Sequence, residues 1–201
     1  MPIPVARAMA FIIAVFAALV LPACSVNVKN DEKGEGKRVD IQTPVGGIHV
    51  SEDADVRDTG LPVYPGAKLK EKEKDSSDSK RANVNISGPG FGVKVVALEY
   101  VSDDSPQKLV DYYKDQLKKY GAVLECHTSK HEGDIETGVS HDGDGKSESK
   151  QLTCDKGDGG NTVELKAGTK DEQHIVAVEP DGKGSRFALV YVRARGKHDM
   201  I

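Results

Sequence analysis

Histidines and carboxylates gather in one hydrophilic stretch of the chain, residues 127–148. His127 and His131 are four positions apart, and His141 and Asp144 follow. On a helix, this spacing would let two imidazoles share a metal ion. However, the stretch has no helical stripe, and the position four places after His131 is isoleucine, not the second histidine of a zinc-protease motif. The pattern favours a solvated loop, and an enzymatic or metal-binding loop using these four residues is the alternative.

The chain lacks the short motifs of common enzyme and nucleotide sites. It has no G-x-S-x-G elbow and no Walker loop, and the glycines of residues 88–92 precede a strand pattern, whereas a dinucleotide loop opens a helix. The net charge of −4 gives no basic footprint for nucleic acid. The sequence therefore predicts no cofactor and no nucleic-acid partner, and it leans away from an enzyme.

One tyrosine is a candidate binding residue. Carbohydrate binders stack sugars on broad aromatic surfaces, and this chain has no tryptophan. Tyr64, in the loop PVYPGA, remains as a candidate contact residue. The alternative is a half-buried structural role, which is common for tyrosine.

Residues 1–23 have the anatomy of a secretory signal peptide. One arginine precedes an uncharged apolar run over residues 8–23, which is shorter than the ~20 residues that a membrane-spanning helix needs. The run ends in Leu21-Pro22-Ala23-Cys24, which resembles the lipobox of bacterial lipoproteins. The resemblance implies cleavage before Cys24 and acylation of its thiol. The alternative is ordinary signal peptidase cleavage after Ser25, which would discard this cysteine.

Acylation of Cys24 would determine where in the cell the protein is located. Two or three acyl chains hold a protein stably on a bilayer, because each buried methylene adds ~0.8 kcal/mol. Serine follows the cysteine, and by resemblance to known sorting rules this favours the outer membrane, facing the periplasm. We therefore expect the membrane to be one partner, through the lipid anchor, and an envelope protein to be another. A free exported protein is the alternative.

Besides Cys24 the chain has an even number of cysteines, Cys126 and Cys154. Export to an oxidising compartment favours a disulfide between them. The alternative is a pair of reduced, buried thiols.

Composition divides the chain after the signal peptide into three parts. Residues 24–38 are polar and glycine-bearing, and they predict a flexible, lipid-anchored tether. Residues 39–58 predict a β-hairpin with a glycine turn, followed by an acidic linker. Residues 59–201 predict an α+β domain, in which Ala122–Cys126, Gln151–Cys154 and Thr162–Ala167 are short strands and residues 174–195 form a long hairpin around the turn 181–184.

One helix has clear start and stop signals. Ser105 is the N-cap candidate, Pro106 lies in the first turn, and Gly121 marks the end. Apolar residues recur between these points at spacings of three and four, which predicts a stripe that packs on a sheet. The stripe consists of Leu109, Val110, Tyr113, Leu117 and Tyr120. The predicted fold is α+β: a mainly antiparallel sheet with one long amphipathic helix packed on it, preceded by the hairpin and the tether.

Three segments together resemble an uncharacterised family of exported bacterial proteins. They are TPVGGIHV, DTGLPVYPGA and SPQKLVDYYKDQLKKYG, and the resemblance covers about residues 39–126. The family has no assigned activity, so the resemblance implies export and no catalytic residues.

The sequence thus predicts a cell-envelope lipoprotein with a non-catalytic binding or assembly domain. The expected contact surface is the helix-free face of the sheet or the PVYPGA loop. An enzyme or metal-binding protein using residues 127–148, and a structural spacer, are the alternatives.

Overall fold

A single antiparallel sheet organises the described part of the chain. The computed structural model describes residues 24–30, 37–70, 80–128, 152–154 and 159–196. Within these residues ten strands pair in the order β1-β2-β3-β5-β6-β10-β9-β8-β7, and β4 pairs with the end of β6. The elements are β1 Ser25–Asn30, β2 Lys37–Thr43, β3 Gly46–Ser51, β4 Lys68–Leu69, β5 Arg81–Gly88, β6 Phe91–Ser102, α1 Pro106–Leu117, β7 Leu124–Thr128, β8 Thr162–Thr169, β9 Glu172–Asp181 and β10 Gly184–Gly196.

Turn chemistry sets the strand boundaries where the sequence predicts them. The predicted β2–β3 hairpin forms, but Pro44 and Val45 make its turn, and the glycines expected there are the first two residues of β3. Pro89 and Gly90 connect β5 to β6, and Gly90 has a φ of 83°, which favours glycine. The apolar segment at the end of the chain forms the predicted β9–β10 hairpin. Since β3 also pairs with β5, the first hairpin is continuous with the main sheet. The domain boundaries drawn from the sequence stay a prediction.

The helix α1 packs on one face of the sheet, so the mainly antiparallel α+β fold is confirmed. The predicted long helix is wrong in length: α1 has 12 residues and continues only as a 3₁₀ turn, Lys118–Tyr120, before Gly121. At 1.5 Å per residue α1 spans roughly 18 Å, enough to cross about four strands. Ser105 has the extended backbone of an N-cap, but its side chain makes no capping hydrogen bond.

The predicted helix stripe forms the centre of the core. Tyr113, Leu109 and Leu117 are fully buried against apolar side chains of β6, β8, β9 and β10. Tyr113 also donates a hydrogen bond from its hydroxyl to the Pro62 carbonyl at 3.2 Å. The phenol is therefore satisfied inside an apolar layer, as a buried polar group must be.

A buried histidine fastens the helix end to the segment before β4. The ring of His174 stacks on Tyr120 at 3.5 Å between centroids, and its Nδ1 lies 2.8 Å from the Thr59 carbonyl oxygen. Because a carbonyl only accepts, Nδ1 carries the proton. Burial lowers the pKa of His174 below its ordinary value of 6.5.

We expect His174 to make stability fall in acid. As the pH drops through about 6.5, the unfolded chain binds a proton that the folded ring resists, so the free energy of unfolding decreases. Substitution His174→Phe keeps a stacked ring and removes this titration. Urea unfolding at pH about 7.5 and about 5.5 should show a smaller acid-induced loss in the variant than in the wild type. An equal loss in both proteins would contradict the assignment.

Two segments differ from the sequence-based expectations. Residues 24–38 were expected to be an unstructured tether, yet Ser25–Asn30 form β1, which pairs antiparallel with β2. Alternating Val26 and Val28 explain the strand, since they lie opposite Ile41 and Val39. The predicted strand over Gln151–Cys154 is also wrong in its described part, because residues 152–154 have no regular secondary structure. The strand predicted over Ala122–Cys126 lies two residues later, as β7.

The predicted disulfide is confirmed. Cys126 on β7 and Cys154 are bonded, with their Cα atoms 5.6 Å apart. Cys126 is 4% exposed, so one end of the bridge is fixed inside the sheet. The bridge therefore ties residues 152–154 to β7, where strand pairing does not hold them.

Candidate functional site

The two faces of the sheet differ in chemistry. Residues directly opposite each other in paired strands point to the same face. The pairing therefore aligns aliphatic side chains from six neighbouring strands in two rows, which we call the aliphatic ladder. One row is Val26, Ile41, Ile48, Ile86, Val93 and Ala194, and the other is Val28, Val39, Val50, Val84, Val95 and Val192.

The ladder lies on the face opposite the helix. Val96 and Leu98, which pack in the core with α1, alternate along β6 with Val93, Val95 and Ala97. The inner end of the ladder, at Val95 and Val192, joins a separate buried cluster that includes Ile175 and Val190. The sheet thus has apolar side chains on both faces, and α1 packs against only one of them.

The outer end of the ladder is exposed. Val26 is 65% exposed, Val28 60% and Ile48 40%. The exposed Cys24 lies immediately before β1, and β1 is the last strand at its end of the sheet order. Exposed aliphatic groups beside an unpaired strand edge are typical of an interaction surface.

A repeated sequence pattern underlies the ladder. Six segments of aliphatic–polar–aliphatic residues supply its members, for example Val26-Asn27-Val28 and Ile48-His49-Val50. The polar middle residues lie on the other face, where His49 contacts the Asp40 carboxylate. Sequence reasoning assigned the alternating residues between 39 and 50 to a hairpin and did not connect them with the other strands. The repetition of the pattern is the signal that would have revealed the whole surface.

The helix-free face also carries a buried group of charges. Glu99 is 8% exposed, and its carboxylate lies 2.8 Å from Lys70, 3.4 Å from Lys80 and 3.6 Å from Arg186. Arg186 also pairs with Glu179. Each buried carboxylate is therefore compensated by cations, as burial of charge requires. The arrangement acts as a structural ion-pair network.

The candidate metal ligands do not form a site within the described residues. His127 is exposed on β7, and its Nε2 lies 3.5 Å from Glu125. The other three candidates, His131, His141 and Asp144, lie outside the described residues. Within residues 24–30, 37–70, 80–128, 152–154 and 159–196, no three His, Cys, Asp or Glu side chains are grouped to hold a metal ion.

Tyr64 packs against the helix. Its ring makes an edge contact with Tyr112 at 5.1 Å, and its hydroxyl donates to Asp104 at 3.0 Å. Burial, together with the acceptor Asp104, raises the pKa of the Tyr64 phenol. Pro65 and Gly66 form the exposed tip of this loop, and the Ala67 amide bonds back to the Tyr64 carbonyl at 3.0 Å. The aromatic ring is thus already engaged in packing.

Comparison with known proteins gives no relative: no family model, curated protein or solved structure matches the chain significantly. In the described part of the chain, no helix has the length and apolarity to span a membrane.

Proposed function

We propose that the protein is a cell-envelope lipoprotein that binds an envelope protein partner through the aliphatic ladder. Acylation of Cys24 would hold it on the outer membrane, facing the periplasm. The domain is non-catalytic: it supplies a contact surface, and the lipid supplies the location.

The observation that carries this proposal is the exposed outer end of the ladder. An enzyme typically presents a concave site with clustered acids or histidines, whereas a binding module presents exposed apolar groups or an open strand edge. Ile48 and the two valines of β1 provide the apolar groups. No strand pairs with the outer edge of β1 among the described residues, and this edge offers backbone donors and acceptors for strand addition.

A comparison of exposure favours the ladder over the PVYPGA loop as the binding surface. The Tyr64 ring of that loop already packs against Tyr112 of α1, whereas the ladder residues on β1 have no covering layer among the described residues. The ladder therefore offers more apolar surface for a partner to bury, at roughly 25 cal/mol per Å².

A crosslinking experiment tests the binding surface. A photoreactive phenylalanine analogue at Ile48 should give a discrete adduct with another protein in living cells. The matched control is the same analogue at Gln42, which is also exposed and lies in the same hairpin on the opposite face. Equal adducts at both positions, or none at Ile48, would contradict the proposal. An adduct between two copies of this chain would show that the ladder binds a second copy and not an envelope partner.

A further inference from the structure

An open cleft of about 490 Å³ lies on the sheet where β5 and β10 end and β6 begins. Lys94, Arg193 and Arg195 contribute the charges of its lining, and Asn85 and Ser87 contribute hydrogen-bonding groups. No carboxylate is among the described residues that line it. Three cations thus surround one cleft in a chain whose net charge is −4.

Strand pairing brings these side chains to one face. Lys94 lies directly opposite Arg193, and Arg195 follows two positions along β10. These residues share the face that carries α1, beyond the part of the sheet that the helix covers. The Lys94 ammonium also lies 3.6 Å from the Asp58 carboxylate. Arg193 lies opposite Glu172, whose carboxylate accepts a hydrogen bond from Tyr191 at 2.8 Å.

A glycine keeps the floor of the cleft open. Gly92 lies between Ser87 on β5 and Arg195 on β10, so the row has no side chain at its centre. A Cβ at Gly92 would find its nearest neighbour, the Ile86 carbonyl oxygen, at an ordinary 3.6 Å. Nothing in the backbone therefore requires glycine here, and the space above it is available to a ligand.

The cleft and Cys24 lie at the same end of the sheet. Successive pairings run from Ser25 through Gln42, Gly47 and Ser87 to the Gly92–Arg195 pair. Five strand spacings of about 4.8 Å put β10 roughly 24 Å from β1 along this row. The exposed Val45 and Phe91, 68% and 53% accessible, also lie at this end.

We propose that this cleft binds a phosphate group. Two arginines can give a phosphate paired, charge-assisted hydrogen bonds, and Lys94 adds a point charge. The amide of Asn85 and the hydroxyl of Ser87 are further donors. The phosphate can belong to a lipid headgroup beside the proposed anchor or to a soluble phosphate ester, and the two sources present the same chemistry to the cleft. The site does not depend on acylation of Cys24.

Calorimetric titration of the full chain in non-ionic detergent tests the site. The probes are glycerol phosphate in solution and phosphatidylglycerol in mixed micelles. The double substitution Arg193→Gln/Arg195→Gln should weaken binding about tenfold or more, because charge-assisted hydrogen bonds are lost. Gly92→Thr should weaken binding similarly, because its side chain would fill the floor of the cleft. Threonine is well tolerated in a β-strand. Arg81→Gln, an exposed arginine at the far end of β5, is the matched charge control.

Each outcome decides the proposal. Saturable binding that both cleft variants weaken and Arg81→Gln leaves within about twofold supports it. Binding of glycerol phosphate assigns a soluble ester, and binding of the micelles alone assigns a headgroup. No saturable binding of either probe, or equal weakening by Arg81→Gln, overturns it. Thermal unfolding of each variant verifies that it is folded, and Gly92→Thr tests the cleft without removing a charge.

Discussion

Replacing Phe187 with alanine is expected to lower the free energy of unfolding by about 3–5 kcal/mol. Phe187 is 0% exposed and lies where β10 meets the helix. Its ring stacks on Tyr100 at 5.5 Å and tilts against Tyr113 at 5.6 Å. The substitution would leave a cavity between two aromatic rings held by the sheet and α1, so the surroundings cannot collapse to fill it.

Urea unfolding monitored by circular dichroism measures this loss. The control is Val45→Ala, which removes an apolar side chain at a turn where it is 68% exposed. The control should change the free energy of unfolding by no more than about 0.5 kcal/mol. A loss below about 1 kcal/mol for Phe187→Ala would show that the helix does not seal this part of the core.

Local signals explain which parts of the fold were predictable. Pro106 fixes its φ near the helical value, and Gly121 tolerates a positive φ, here 127°, so single residues predict both ends of the helix. The β9–β10 hairpin likewise follows from alternation around Asp181–Gly184, where Gly182 has a φ of 59°. The disulfide was predicted from an even number of remaining cysteines in a chain that we expect to be exported.

The two candidate sites depend on pairing between strands that are distant in the chain, so local sequence signals could not predict them. The cleft joins Ser87 and Lys94 to Arg195, about 100 residues later in the chain, and only the register of β6 with β10 brings them together. Segment Ser25–Asn30 has a polar composition, because Asn27 separates its two valines and Lys29 and Asn30 follow them. Its strand forms against β2, and such tertiary pairing overrides local composition.

The net charge of the chain does not reveal the cationic cleft. The net charge of −4 describes the average surface, whereas ligand recognition depends on where cations are grouped. Lys94 and Arg193 are separated by 98 intervening residues yet lie opposite each other. Conversely, the histidines of residues 127–148 cluster in sequence, and only His127 lies in the described part of the chain.

Substitution Cys24→Ala is expected to abolish attachment to the membrane. Acyl chains on Cys24 would supply the binding free energy at ~0.8 kcal/mol per buried methylene, and no side chain can replace them. Because β1 begins at Ser25, the acylated residue would adjoin the sheet without a spacer. The ladder and the proposed phosphate cleft would then lie close to the bilayer, near the proposed envelope partner and anionic headgroups.

The most direct test is metabolic labelling with a clickable palmitate analogue in a Gram-negative host. The wild-type protein should carry the label and fractionate with the outer membrane, and Cys24→Ala should lose both properties. Ser25→Ala is the matched control, and it should keep the label because the thiol remains. An unlabelled wild-type protein, or a label that persists in Cys24→Ala, would contradict the lipid anchor.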